Sequence, residues 1–325
     1  MIRLGVRVAV GVALAGAIAP DARAASEGAP PAAPAAAGKA KEPPAPKAAT
    51  NATKAAGAKG KAKVAAAGSS RRAPLPADRL ETLRAALEGP EDAGALEAAA
   101  ALGSSAAPNA GEPLLETLSI GTSAVRTEAA LDALAKLGNA GALGGLGDRP
   151  LEILELYSGH RVPDLRRRAV KALGTLREAR FAPTVVPILL ARLGDGAADV
   201  RATAGEALAD RHEVKAAPRL FALVKRGDAA GAEPLAAVAT PDMVPQIAEL
   251  AGNVDDGVLA TTLGEYVKRD DVPDKLRVDV LRTIGGLAGA AATTALVEYV
   301  ASIPAKDNRP SKREAQKLLD QRGTK

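Results

Sequence analysis

A handful of positions recurs along this chain at a spacing of about 35 to 40 residues. The clearest copy is Leu165-Arg166, Ala169, Ala172-Leu173-Gly174 and Leu176. Val200-Arg201, Ala204 and Ala207-Leu208 repeat it 35 residues later. Leu276-Arg277, Val280, Thr283-Ile284-Gly285 and Leu287 repeat it again, three periods of about 37 residues beyond the first. Val125-Arg126, Ala129 and Ala133-Leu134 form a weaker copy about 40 residues upstream. Within each copy the apolar residues step by three and four, which places them on one face of a helix. One short helical unit cannot cover such a face alone, so neighbouring units must stack and share a core. The recurrence predicts an all-α fold, an α-solenoid of stacked two-helix repeats. The alternative is an irregular helical bundle, which has no reason to repeat the same positions.

Composition agrees. Hydrophobic residues make up 47% of the 325 residues and aromatics only 2%. Ala and Leu, the strongest helix formers, dominate the apolar share. Apolar residues at helical spacing predict helices over 76–88, 91–102, 112–119, 124–137, 149–158, 164–177, 183–193, 199–209, 214–225, 241–251, 256–268, 274–287, 290–302 and 311–321. Gly, Pro, Asp or Asn stand between them. Gly138, Gly174 and Gly194 each follow a Leu at an expected helix end, where a left-handed cap suits glycine. The stretch 228–270, with Pro234 and Pro241, departs from the pattern and leaves the pairing of helices open.

In Asp164-Leu165-Arg166 with Ala169, Ala172, Leu173 and Gly174, and in Asp199-Val200-Arg201 with Ala204, Ala207 and Leu208, the chain resembles the HEAT repeat family. The shorter, phycobilisome-lyase-like form of that repeat is included in the resemblance. It extends loosely over 75–325 and is specific over 120–225. The resemblance implies an armadillo- or HEAT-like superhelix with the second helix of each unit lining its concave face. It also implies that the recurring charges Asp164, Arg166, Asp199, Arg201 and Arg277 form an Asp–Arg ladder tying units together. It transfers no catalytic role, because the matched residues are packing residues.

The first 74 residues read differently. Arg3 and Arg7, an apolar run from Val8 to Ala19, and Ala22-Arg23-Ala24 have the layout of a signal peptide over 1–24. The run is too short to span a bilayer, and an uncleaved anchor is the alternative. Residues 25–74 are mostly Ala, Pro, Gly and Lys. They carry nine Lys or Arg against Glu27 and Glu42, whereas 75–325 has 31 basic residues against 35 acids. A segment with so little to bury is expected to be disordered. The overall charge of +5 thus joins a basic tail to a slightly acidic body. The expected product is exported, periplasmic or secreted, with no transmembrane span after cleavage.

No catalytic, cofactor or metal constellation is legible. The chain has no Cys, which excludes a disulfide, a thiolate nucleophile and a thiolate metal site. His160 and His212 lack the spacing of a helical zinc motif. Gly141 to Gly147 lacks the Lys-Ser/Thr of a phosphate loop, and Asp255-Asp256 and Asp270-Asp271 lie at expected helix ends, where Asp caps.

The expected function is therefore a non-catalytic scaffold of the cell envelope that binds a protein or peptide on its concave face. Arg167, Arg168 and Lys171 do not recur with the repeat and sit among Arg161, Arg177 and Arg180. They are the candidate contacts for an acidic segment of that partner, with a merely solvated helix face as the alternative. Two other functions stay open. The basic 25–74 stretch suits an anionic envelope polymer or a membrane surface, though without aromatics it suits no specific nucleic acid. The resemblance also leaves room for a lyase-like enzyme or enzyme subunit.

Overall fold

The computed structural model describes residues 73–323. The expected signal peptide and nearly all of the expected basic segment lie outside the described residues. The described chain is helical, with no strand. Its α-helices are α1 (Ala77–Glu88), α2 (Asp92–Ser105), α3 (Gly111–Ile120), α4 (Ala124–Asn139) and α5 (Arg149–Ser158). Then follow α6 (Pro163–Thr175), α7 (Ala182–Arg192), α8 (Ala198–Ala209), α9 (Ala217–Lys225) and α10 (Ala232–Val238). The last are α11 (Val244–Ala248), α12 (Asp256–Lys268), α13 (Asp274–Gly286), α14 (Gly289–Ser302) and α15 (Pro310–Gly323). Every helix expected from the spacing has a counterpart. The addition is α10, a seven-residue helix in the stretch that departs from the repeat. Its Pro234 sits in the first turn, where the missing N–H has no intrahelical partner to lose.

The helices form two rows, as an α-solenoid requires. In one row α2, α4, α6, α8, α10, α12 and α14 pack in succession, each against the next. In the other, α1, α3, α5, α7 and α9 lie mainly against the even-numbered helix that follows them. The core runs between the rows, and the repeated Leu fills it: Leu102, Leu137, Leu173, Leu208 and Leu296 are fully buried.

Glycine sets the spacing of the even row. A Cβ on Gly103 would stand 2.8 Å from the Ala133 Cα, and one on Gly174 or Gly264 would stand 2.8 Å from the Cβ of Ala207 or Ala295. The Leu-Gly pairs are therefore close-approach points. This corrects the reading of Gly138 and Gly174 as caps: both lie inside helices, Gly138 against Thr175 and Gly174 against Ala207. Gly194 lies just beyond α7, but it is not left-handed either. Left-handed glycine is found instead at Gly121, directly after α3 (φ 70°).

Candidate interaction surface

The recurring arginines do tie units together, but the acids differ from those the sequence suggested. Arg166, near the start of α6, makes a two-pronged pair with Asp195 in the loop before α8: Nε donates to Oδ2 (2.8 Å) and Nη2 to Oδ1 (2.6 Å). Arg201, one unit on, donates from Nε to Asp228 Oδ2 at 2.7 Å and from Nη1 to the Asp195 carbonyl at 2.8 Å. Asp195 and Asp228 also each accept a backbone N–H two residues on, from Ala197 and Ala230. The result is a continuous chain, Arg166–Asp195–Arg201–Asp228, across three successive units. Burial pushes both carboxyls up, but the arginines and backbone donors outweigh it and hold Asp195 and Asp228 below the usual carboxylate range.

Asp164 and Asp199 are not in this chain. Asp164 lies 3.6 Å from Arg167 on its own helix, and the Asp199 carboxylate has no hydrogen bond or ion pair. Arg277 is a further correction. It lies on α13, which belongs to the odd-numbered row, and its guanidinium donates to carbonyls at the end of α12, Val267 (3.1 Å) and Arg269. The third copy of the motif thus packs in the other row, because four helices, an even number, lie between it and α8.

A second set of arginines caps helix ends, each reaching back about one repeat. Arg211 donates to the carbonyls of Leu173 and Leu176 at the end of α6, Arg269 to those of Ala236 and Ala239 at the end of α10, and Arg322 to those of Ile284, Gly285 and Leu287 at the end of α13. A cation over a helix C-terminus answers both its orphan carbonyls and its dipole. These residues carry no shared flanking pattern, so nothing in the sequence alone marks them.

The three proposed partner contacts on α6 are not equivalent. Arg168 is turned back onto α4, where it donates to Glu128 Oε2 at 3.0 Å and to Asp132. Arg167 is half-buried beside Asp164, and Lys171 is exposed. Of the two histidines, His160 stacks on Tyr157 with ring centroids 6.0 Å apart, and its Nδ1 accepts the Val162 N–H.

Beyond α6 the even row opens into a groove of about 690 Å³. It crosses α8, α10, α12 and the start of α14. The seven-residue α10 stands there between helices of 12 and 13 residues, and the turn before it, with Ala229 and Ala230, also lines the groove. The floor is made of small residues, among them Ala202, Ala230, Pro234, Gly257 and Ala291. Its charged lining is entirely acidic: Asp199 and Glu206 from α8, Glu233 from α10, and Asp255 before α12. Asp255 accepts the Val258 N–H at 3.0 Å as the N-cap of its helix. A second hollow shares Glu233, Thr261 and Ala291 and continues toward Glu265 and Glu298, where Lys268 joins both carboxylates at 2.7 Å.

Residues 150–239, from α5 to α10, match the family model described as HEAT repeats. Among solved structures the chain is similar to the complex of CpcE and CpcF of phycocyanin lyase from Nostoc sp. PCC7120. Identity there is 17%, with 78% of this chain and 97% of that chain covered and a TM-score of 0.40. Two engineered proteins are similar at 17% and 18% identity. They cover 74% and 75% of this chain and 67% and 96% of their own, with TM-scores of 0.42 and 0.37. No curated protein matches.

Proposed function

We propose that this protein is a non-catalytic scaffold of the cell envelope, exported to the periplasm, which holds part of a partner protein in the groove across α8, α10, α12 and α14. The observation that carries the reading is the groove itself. It lies on the row of helices that pack in unbroken succession, so its walls are positioned by the whole stack. Surfaces of stacked repeats serve as extended binding faces for the same reason. Arg167 and Lys171, one helix away on the same row, are the basic contacts we assign to an acidic residue of the partner. Export rests on Arg3, Arg7, the apolar run and Ala22-Arg23-Ala24.

The test is site-specific photo-crosslinking in the living cell. A photoreactive residue at Ala202 in the groove is expected to capture a protein that the same residue at exposed Pro218, on α9, does not. Equal capture at both places, or none at Ala202, overturns the scaffold reading. Mass spectrometry of the cellular protein is expected to find an N-terminus at or near Ala25; intact Met1 overturns the export reading.

A further inference from the structure

We infer that the occupant of the groove is an extended, Lys- and Arg-rich segment of the partner, with small side chains between its charges. The inference rests on the scaffold reading and adds the chemistry of what is held. Two properties of the groove carry it, one of shape and one of charge.

The shape suits close approach of a main chain. The floor is Ala202, Ala230, Pro234, Gly257 and Ala291, whose short side chains let the backbone of a ligand lie against the helices. A segment in which Ala, Gly or Pro separates the charged residues fits such a floor.

The charge selects the sign. Asp199, Glu206 and Glu233 line the groove with neither a hydrogen bond nor an ion pair on their carboxylates, and no Lys or Arg lines it with them. To either side, carboxylates of the same row are matched: Glu128 and Asp132 by Arg168, Glu265 and Glu298 by Lys268. The first turn of a helix favours an acid, which accounts for Asp199 and Glu233. It does not account for Glu206, which lies two turns into α8 beyond the reach of that end. Unmatched carboxylates converging from two helices onto one hollow leave a deficit that a row of lysines or arginines fills, each charge-assisted bond being stronger than a neutral one. The hollow that continues toward Glu298 shares Glu233, and the unmatched acids end there, where Lys268 answers Glu265 and Glu298.

The experiment uses the full-length chain and a fluorescent 16-residue peptide of Lys, Ala and Pro, read by anisotropy. The peptide is expected to bind, more weakly as salt rises, while a peptide with Glu in place of Lys does not bind. Glu206→Gln with Glu233→Gln keeps side-chain size and is expected to weaken binding by about tenfold or more, a factor that corresponds to about 1.4 kcal/mol. Glu152→Gln with Glu155→Gln, on the exposed face of α5, is expected to change nothing. Equal weakening by both pairs, no weakening by the groove pair, or binding of the Glu peptide overturns the inference. The crosslink at Ala202 separates the two levels. A captured segment that is neutral or acidic leaves the scaffold standing and refutes the basic ligand, whereas absence of groove-specific capture refutes the scaffold itself.

Discussion

Gly174 on α6 and Ala207 on α8 meet backbone to methyl: a Cβ on Gly174 would lie 2.8 Å from the Cβ of Ala207. Helix axes can approach this closely only where one side chain is missing. Gly174→Val should therefore force α6 and α8 apart and destabilise the fold by about 1–3 kcal/mol, the usual cost of overpacking. Gly94→Ala, in α2 with nothing within 4 Å of the new methyl, should instead stabilise by about 0.4–1 kcal/mol. Thermal melts of the two variants read the contrast. A neutral Gly174→Val would mean that the even row is not in contact there.

The Arg–Asp chain gives a second expectation. Arg201 and Asp228 are both largely shielded, with 16% and 12% of their side chains exposed. Removing either should cost about 1–3 kcal/mol, because Arg201 loses its carboxylate, or Asp228 keeps only the more exposed Arg226. Asp164→Ala, on an exposed pair 3.6 Å apart, should cost no more than about 0.5 kcal/mol. A double-mutant cycle on Arg201 and Asp228 by urea denaturation should return a coupling; additivity would show that the ladder does not bind the units together.

Acid should loosen the same chain. Asp195 and Asp228 have folded-state pKa values below the 3.8 of a free Asp. A depressed carboxyl adds stability above its unfolded pKa, and loses it as pH falls through the folded one. Stability should thus be level above about pH 5 and decline below about pH 4. Asp195→Asn should flatten that decline while lowering the plateau. An unchanged acid limb in this variant would assign the acid sensitivity to other groups.

The basic residues of α6 should separate by mutation. Arg168→Glu places a third acid against Glu128 and Asp132 and should lower the melting temperature by several degrees for a cost of about 1 kcal/mol or more. Lys171→Glu, on an exposed side chain with no partner, should leave it within about one degree. Differential scanning calorimetry decides; equal shifts would place both residues in solvent.

Leu173 and Leu208 are fully buried, and truncation of either to Ala should cost about 2–5 kcal/mol by the same calorimetric measure. A cost near that of a surface change at Leu173 would put the repeat register out of place.

Most of the fold was legible because its signals are local. Apolar residues at steps of three and four, with Gly, Pro and Asp between the runs, mark helices without reference to anything distant. What the sequence hid depends on contacts about one repeat away. A Leu-Gly pair at the end of an apolar run looks the same whether Gly174 caps its helix or presses on Ala207 in the next unit. Beside the ladder arginines the sequence offers Asp164 and Asp199, but the acids that pair sit in loops at Asp195 and Asp228, each after a Gly. The Gly194-Asp195 and Gly227-Asp228 pairs, 33 residues apart, were the available clue. The short α10 is not legible because Pro234 interrupts the apolar pattern there, and the groove crosses that helix. The copy at Arg277 matched in residues but not in row, since spacing along the chain counts residues and not helices.

The two rows differ in how they resist deformation. The even row is a run of backbone contacts with no slack, held at one end of its helices by the Arg–Asp chain and at the other by arginines over the terminal carbonyls. The odd helices from α5 to α11 scarcely meet one another. The stack is therefore stiff to stretching along the even side and compliant to fanning on the other, like a book whose spine is glued and whose page edges are free. Its curvature is therefore expected to change first by fanning of the odd helices, which scarcely meet one another, and last by parting of the even ones.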